Sequence, residues 1–179
     1  MSHKRKRKVQ IATHPRNNVR SEPLDLSDII YIDFTKYPKW TDTVKVENFN
    51  NCLKDVNEAS RHFFFIVDRL IPDIESYGAD IFTSKTKHCH ILRDENAKKA
   101  RKIIRSIHGK NFLDDDADIW ELAAKTEEIR LIGVFVNDTV RRFYPLFIDH
   151  HHLLYPSKKY NQLDYKKYKF TKDEIKSAK

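Results

Sequence analysis

The sequence predicts an α+β fold, with two helices packed on one face of a small antiparallel β-sheet. Runs rich in β-branched and aromatic residues cluster between positions 119 and 148, and two other stretches space their apolar residues three or four apart. These elements follow the order strand, helix, helix, strand, strand, strand. Aromatic residues make up 12% of the chain and only three residues are glycine, which favours a packed globule over a disordered chain.

Charge divides the chain into three parts: a basic flexible arm at 1–23, a single α+β domain at 24–156 and a Lys/Tyr-rich tail at 157–179. Residues 1–20 carry seven basic side chains and no acidic one, and residues 155–179 carry eight lysines against three acids. The net charge of +8 therefore comes from the ends, and the body is acidic. Such ends are typical of arms that embrace a polyanion, and equally of segments that keep a protein soluble.

The composition also bears on the compartment. Two cysteines, Cys52 and Cys89, are too few for a disulfide framework and fit a reducing cytoplasm, the location we predict. The sequence has no apolar run of about 18 residues, so we expect no membrane partner. The basic start lacks the apolar core of a signal peptide.

The first half of the domain is predicted to contain one strand and one long helix. The strand is expected at Leu26–Phe34. The helix is expected at Val46–Tyr77, capped by Asp42 or Thr43 and kinked or ended at Pro72, because nine small or apolar residues follow a 3-4 spacing.

Three consecutive phenylalanines, Phe63–Phe65, make the middle of this predicted helix apolar nearly all round. We therefore expect it to be buried on two sides. The spacing favours a core helix over any cofactor role, and His62, beside the apolar stripe, is interpreted as structural.

A second helix is predicted at Glu95–His108, with Asp94 as its cap and Gly109 at its end. Its outer face is basic, which is typical of a solvated surface and can also follow phosphates. Aromatic residues alternate with lysines in the tail, a pattern that suits stacking on bases or packing on the body. The predicted nucleic-acid-binding residues are Lys4, Arg5, Lys6, Arg7, Lys8, Lys98, Lys102, Lys158 and Lys159.

The last part of the domain is predicted to form a hairpin preceded by one more strand. The hairpin strands are expected at Ile129–Val136 and Val140–Ile148, joined by a short polar turn, with the preceding strand at Ile119–Ala124. Because hairpin strands run antiparallel, Arg130 should lie close to the histidines that follow the second strand, His150–His152.

The side chains that should meet there suit metal-free RNA cleavage. Arginine can stabilise a phosphate whose charge grows in the transition state, and histidine exchanges protons near neutral pH. A base would activate the 2′-hydroxyl, which makes RNA the substrate, and an acid would protonate the leaving 5′-oxygen. The residue types alone favour an inert, exposed histidine run. The candidate catalytic residues are Glu121, Arg130, Asp149, His150, His151, His152 and Tyr155.

The stretch from Trp120 to Pro156 resembles the C-terminal half of the RelE/ParE toxin superfamily, in particular its RelE, YoeB and HigB branch of mRNA endonucleases. Trp120-Glu121-Leu122 resembles a short x-Glu-Leu motif on one strand of the family, and Glu128-Ile129-Arg130-Leu131 resembles the start of the next strand. Asp149–Tyr155 corresponds to the end of the last strand, where the family carries its acid and base. The resemblance covers about 40 residues of a chain roughly twice the family's usual length.

This resemblance implies a cytoplasmic toxin that cuts RNA, including ribosome-bound mRNA, without a cofactor and that is neutralised by an antitoxin protein. It implies that Arg130 binds the phosphate, one of His150–His152 acts as the acid, Tyr155 assists and Glu121 is a possible base. The family's catalytic lysine has no counterpart here.

Two alternatives remain open. His88, Cys89 and His90, together with His150–His152, offer enough nitrogen and sulfur ligands for a metal, although their spacing matches no common zinc pattern. Nucleophilic chemistry at Cys89 is disfavoured, because neighbouring side chains on a strand point to opposite faces. The main rival to an enzyme is a non-catalytic module on the same scaffold that binds nucleic acid or protein.

Overall fold

The computed structural model describes residues 29–83, 85–86, 88–126, 129–137, 141–156 and 164–177. Within these residues the chain forms seven strands: β1 (Ile30–Ile32), β2 (Lys45–Val46), β3 (Phe49–Asn50), β4 (His90–Ile91), β5 (Trp120–Ala123), β6 (Arg130–Asn137) and β7 (Arg141–Asp149). The α-helices of the same residues are α1 (Val56–Phe65), α2 (Ile71–Tyr77), α3 (Asp94–His108) and α4 (Lys172–Ser177).

The main sheet has five strands in the order β1-β7-β6-β5-β4. The predicted hairpin is confirmed as β6 and β7, and the strand before it as β5. The α+β class is confirmed, but the sheet is mixed rather than antiparallel, because β1 runs parallel to β7. A parallel neighbour needs a long crossover, and the chain between β1 and β7 supplies it with all the intervening helices. The predicted strand at 26–34 is shorter in the structure, and residues 26–28 lie outside the described part.

Both faces of the sheet are covered, which differs from the predicted placement of the two helices on one face. Neighbouring residues of β6 enter different cores: Leu131 packs with α2 residues such as Ile74, and Ile132 packs with α3 residues such as Ile104. Successive side chains on a strand point to opposite faces, so α2 and α3 lie on opposite sides of the sheet.

A bulge in the β6–β7 pair changes which residues of β7 share a face. Ile132 pairs with Phe147 and Gly133 pairs with Pro145, which leaves Leu146 as the extra residue. A Cβ at Gly133 would lie 2.1 Å from the carbonyl oxygen of Tyr144, so this close approach of the strands requires glycine. Leu146 therefore packs on the α3 face, whereas Ile148 packs on the α2 face.

The start of the predicted long helix is wrong. Val46 and Phe49 are cross-strand partners in a two-residue β-hairpin, and Glu47 in its turn has φ of +53°. The helix begins at Val56 instead, because the carboxylate of Asp55 accepts a hydrogen bond from the backbone N–H of Glu58 at 2.9 Å. Asp42 and Thr43, the predicted caps, lie before the hairpin.

The helix does not end at Pro72, which lies in the first turn of α2, and the irregularity comes just before it, as a π-helical segment, Ile66–Leu70, between α1 and α2. The expectation that Phe63–Phe65 is buried on two sides is wrong, because the side chains of Phe63 and Phe64 are 61% exposed. α1 therefore presents apolar side chains to solvent.

α3 confirms the predicted helix, with Ala100, Ile103, Ile104 and Ile107 buried and Gly109 after its last residue with φ of +107°. The predicted cap is wrong, because Asp94 is the first residue of the helix, and Arg93, which precedes it, makes no side-chain capping hydrogen bond. The C-terminal residues 164–177 return to the body, where the backbone of Phe170 pairs with that of Leu53. Tyr165 and Tyr168 pack against the core, which is the second of the two roles considered for the tail aromatics. No helix in the described ranges has the length and apolarity that a membrane span requires.

Candidate functional site

Several of the predicted catalytic residues meet at the end of β7, on the α3 face of the sheet. The Arg130 Nε donates a hydrogen bond to Glu121 Oε1 at 3.2 Å, and the Tyr155 hydroxyl donates to the same oxygen. A further bond runs from Arg130 Nη1 to the carbonyl of Ile129 at 3.1 Å. Arg130 is 6% exposed and Glu121 is 1% exposed. We call Glu121, Arg130 and Tyr155 the buried ion-pair cluster, because its two charged side chains are almost fully buried.

Burial dominates the titration of this cluster. It raises the pKa of Glu121, while the hydrogen bond from Tyr155 and the charge of Arg130 act in the opposite direction. Burial also raises the pKa of Tyr155 well above its ordinary value, and the neighbouring Glu121 carboxylate adds to that rise. The tyrosine therefore remains a hydrogen-bond donor rather than a proton source near neutral pH.

Asp149, opposite Arg130 in the β6–β7 register, has a structural role in the turn that ends the strand. Its carboxylate accepts backbone hydrogen bonds from His151 at 3.2 Å, Leu153 at 2.9 Å and Leu154 at 2.8 Å. These bonds fold residues 149–154 into a compact turn and fix where each histidine side chain points.

The three histidines of this turn separate. His152 has φ of +58° and its ring packs edge-on against Tyr155, with centroids 4.3 Å apart, so it lies beside the buried ion-pair cluster. His150 projects from the other face of the sheet and lines a pocket there. The structure thus brings Glu121, Arg130, His152 and Tyr155 together and places His150 and His151 elsewhere.

That pocket, which we call the helix–sheet pocket, lies between α1, the end of β7 and the C-terminal segment, and has a volume of about 460 Å³. Most of its wall is aliphatic or aromatic, and its rim includes the exposed Phe63. The described lining residues are Phe34, Trp40, Thr41, Thr43, Asn51, Leu53, Ala59, His62, Phe63, Ile66, Val67, Ile71, Ile148, His150, Phe170, Thr171 and Lys172.

Two histidines form the polar spot in this wall. His62 Nδ1 and His150 Nδ1 are 3.1 Å apart, a hydrogen bond in which one ring donates and the other accepts. Burial lowers the pKa of His150 well below its ordinary value, and the nearby His62 and His151 lower it further. His150 is therefore neutral at pH 7.

His151 is enclosed behind this pair and stacks face to face on Tyr168, with ring centroids 3.5 Å apart. Burial is the main cause that lowers its pKa to about 3, with His62 and Lys167 contributing. Its Nε2 lies 3.5 Å from Glu58 Oε2, but a neutral imidazole forms no ion pair there, and that nitrogen lacks a hydrogen bond within the described residues. His151 holds the C-terminal segment in place and does not line the pocket.

The predicted nucleic-acid-binding residues on α3 are occupied by contacts within the chain. Lys98 pairs with Glu95 and Lys102 with Glu47, each at 2.7 Å. Their neighbour Lys99 donates to the carbonyls of Leu153 and Leu154. The remaining residues of that prediction, Lys4–Lys8, Lys158 and Lys159, lie outside the described part of the chain.

The possible metal ligands do not assemble. His88 and His90 are exposed, whereas Cys89 is buried with its Sγ 3.6 Å from the carbonyl oxygen of Ala123. His90 lies opposite Glu121 in the β4–β5 register, far along the sheet from the pocket histidine His150. Across the described ranges, no three histidine, cysteine, aspartate or glutamate side chains are arranged to hold a metal ion.

Sequence reasoning missed the helix–sheet pocket and gave its histidine on α1 a structural role. His62 stands 88 positions from His150, so no local pattern links them. The signal that could have found it is the polar His62 beside the apolar stripe of a helix and directly before three phenylalanines.

Comparison with known proteins gives a family. A family model described as "Uncharacterised protein UU032" matches residues 36–178. The chain is also similar to "Uncharacterized protein UU032" of Ureaplasma parvum serovar 3, at 27% identity over 167 residues and 92% of each chain. No solved structure gives a significant match.

Proposed function

We propose that this chain, which belongs to the family described as uncharacterised protein UU032, is a binding protein for a small and mainly apolar molecule. The observation that carries the proposal is the helix–sheet pocket, a cavity of about 460 Å³ with an imidazole pair in an apolar wall. Ligand sites in proteins are concave and mostly apolar, with a few convergent polar groups and titratable residues of perturbed pKa.

Most other polar groups of the pocket wall already have partners. The Asn51 side chain accepts from the N–H of Val44 and donates to the carbonyl of Asp42. Lys172 is bound to the carboxylate of Asp42 and to the hydroxyl of Thr41. The His62–His150 pair therefore supplies the main polar contact for a ligand, and the apolar wall supplies most of the binding area.

The pair is better suited to binding than to cleaving RNA. Acid–base cleavage needs one group at the attacking hydroxyl and another at the leaving oxygen. Two imidazoles whose Nδ1 atoms are 3.1 Å apart hydrogen-bond to each other instead of flanking a phosphate. The wall is mostly phenylalanine, isoleucine and valine, and the lysine among its described residues, Lys172, is already bound to the Asp42 carboxylate, so it is poorly placed to bind a ribose-phosphate backbone.

The RNase hypothesis rests on the other cluster, and the burial of Arg130 does not support it. Phosphate stabilisation requires donors aimed at an accessible position, whereas this guanidinium is 6% exposed and bonded to Glu121. The RelE/ParE-like fold, with its ribosome-bound mRNA and antitoxin partners, is kept as a hypothesis on the resemblance alone. Its strongest support is that Glu121, Arg130 and Tyr155 are in contact.

Binding of a neutral fluorescent probe, N-phenyl-1-naphthylamine, tests the proposal. We expect saturable fluorescence enhancement with the full chain. Ala59→Trp places an indole inside the pocket and should abolish that enhancement. Ser60→Trp is the matched control, because Ser60 is the exposed neighbour of Ala59 on α1 and does not line the pocket.

Two outcomes would overturn the proposal. One is probe binding that persists in Ala59→Trp while the variant stays folded by circular dichroism. The other is RNA cleavage in excess EDTA, with a 2′,3′-cyclic phosphate product, that Arg130→Lys abolishes and Ala59→Trp leaves intact.

A further inference from the structure

We infer that the helix–sheet pocket selects an uncharged hydroxyl head group on an apolar body, that is, a long-chain or aromatic alcohol. This inference rests on the proposed function, and it names the ligand class that the His62–His150 contact and the surrounding wall can accept. The geometry supplies three separate reasons, which concern the body of the ligand, its charge and the hydrogen-bonding character of its head.

The wall specifies the body. Phe34, Trp40, Ile66, Ile71 and Phe170 approach from four separate parts of the chain and leave an apolar interior. Phe63 and Val67 extend this surface outward to the rim, where they are 61% and 46% exposed. An alkyl chain or ring buries apolar area along the whole depth of such a cavity, which is the favourable contribution to binding.

An anionic head has no available counter-charge. Lys172 is the one lysine or arginine among the described residues that line the pocket, and it is bound to the Asp42 carboxylate and the Thr41 hydroxyl. A carboxylate ligand would have to compete with Asp42 or remain unpaired in an apolar site. The lowered pKa of His150 agrees with this, because a neutral imidazole does not compensate a buried carboxylate.

A cationic head group also lacks a counter-charge among the described residues that line the pocket. The described residues that line the pocket include no aspartate or glutamate. An ammonium group would lose its hydration and gain only neutral acceptors, so it should bind less well than an uncharged group.

The head that fits the imidazole pair is one that both donates and accepts. Whichever ring donates in the Nδ1–Nδ1 hydrogen bond, the remaining ring nitrogen of His150 is a donor in one tautomer and an acceptor in the other. A hydroxyl group serves both tautomers, because it carries one donor and two acceptor lone pairs.

Displacement of bound N-phenyl-1-naphthylamine at pH 7.5 tests the inference. The competitors are 1-decanol, decanoate and decylamine, which share one alkyl chain and differ in the charge of the head. We expect 1-decanol to displace the probe at about tenfold lower concentration than either ion, the factor for one uncompensated polar burial. In His150→Phe, which keeps a ring in the wall, the roughly tenfold preference for 1-decanol over the two ions should fall about fivefold, to about twofold, with the probe affinity measured anew for the variant.

His150→Asn is the second variant, in case the phenylalanine disturbs the fold, and should keep part of the preference because an amide also donates and accepts. Decanoate or decylamine that displaces the probe as well as 1-decanol overturns the inference and leaves the proposed function standing. The inference also fails if His150→Phe, folded by near-ultraviolet circular dichroism, keeps its full preference for 1-decanol over the two ions. A chain that never takes up the probe overturns the proposed function, and this inference with it.

Discussion

The two polar clusters at the end of β7 lie on opposite faces of one sheet, and they differ in what surrounds them. On the α3 face, Glu121, Arg130 and Tyr155 bond to one another inside the core. On the α2 face, His62 and His150 bond to each other in the wall of a cavity. Both clusters contain the residue types of acid–base chemistry. Within the described part of the chain, only the second lines a cavity that a ligand can enter.

Access, rather than residue type, separates a structural cluster from a candidate site. A buried ion pair has lost its hydration and needs each partner to compensate the other. A histidine pair in a cavity wall can stabilise the fold through its own hydrogen bond and still offer a ring nitrogen to a ligand. Mutations should therefore affect mainly stability on the α3 face and mainly binding on the pocket side.

The largest effect on stability is expected from Arg130→Met. This change leaves the Glu121 carboxylate, which is 1% exposed, without its cation, and breaking a buried pair from one side costs about 3–5 kcal/mol. Urea unfolding at pH 7 measures the loss. Adding Glu121→Leu should restore most of it, because the double variant removes both members of the ion pair and leaves no unpaired carboxylate at position 121. A loss below about 1 kcal/mol would mean that Arg130 is more exposed to solvent than in this structure, and would favour its predicted role in binding phosphate.

The next effect is expected from Asp149→Ala, which removes the acceptor of three backbone N–H groups. Hydrogen bonds to a charged group contribute about 1.5–3 kcal/mol, so we expect a loss of about 2–3 kcal/mol in urea unfolding. Binding of N-phenyl-1-naphthylamine should weaken too, because the turn positions His150.

Asp116→Ala is the matched control for this turn. Asp116 is exposed in the loop before β5 and should lose no stability beyond about 0.5 kcal/mol. Equal losses in the two variants would mean that the Asp149 carboxylate does not hold the turn.

The hairpin and α3 could be predicted from the sequence because their determinants are local. β-branched residues on both sides of a short polar turn specify β6 and β7, and the 3-4 spacing of Ala100, Ile103, Ile104 and Ile107 specifies α3. The start of α1 failed because Val46 and Phe49, three residues apart, satisfy a helix pattern and a tight hairpin equally. The cap signal Asp55-x-x-Glu58 was present and marks the true start.

The site was harder to predict than the fold. The nearness of Arg130 to the turn after β7 follows from antiparallel pairing, and it is confirmed by the register of Arg130 with Asp149. Its burial depends on the packing of Tyr155 and α3, which no strand pattern encodes. The helix–sheet pocket is assembled from segments between Phe34 and Lys172, so it exists only once the tertiary structure is formed.

A smaller effect on stability is expected from a change of pH, and it comes from the protonation of His151. His151 has a native pKa of about 3, while the unfolded value is about 6.5, so the unfolded chain binds more protons between these values. Its contribution to stability is complete above pH 6.5 and is lost as the pH falls toward 3. From pH 6.5 to 5 the loss for one such histidine is about 1.5 kcal/mol.

His151→Phe isolates this contribution, because it keeps a flat ring over Tyr168 and removes the titration. We expect the wild-type chain to lose about 1.5 kcal/mol more than the variant over that interval in urea unfolding. The other charged or titratable groups near His151, which include Glu58, His62, Arg61 and Lys167, are common to both chains. Parallel pH profiles would show that His151 is protonated in the folded chain.

The smallest effect is expected from the double change Lys98→Ala and Lys102→Ala on α3. Each lysine is more than half exposed and paired with one carboxylate, and exposed pairs contribute about 0–1 kcal/mol. Because both lysines already have carboxylate partners, they have little charge to offer a phosphate, and an RNA 20-mer should bind with nearly unchanged affinity at low salt, measured by fluorescence anisotropy. Replacing Lys4, Lys6 and Lys8 is the comparison, since these belong to the predicted basic arm.

A fall in the salt slope by about two in the α3 variant would instead make α3 a phosphate-binding face. Both sides of the sheet would then bind ligands: the α3 side would bind RNA on its surface, and the pocket side would bind a small apolar molecule.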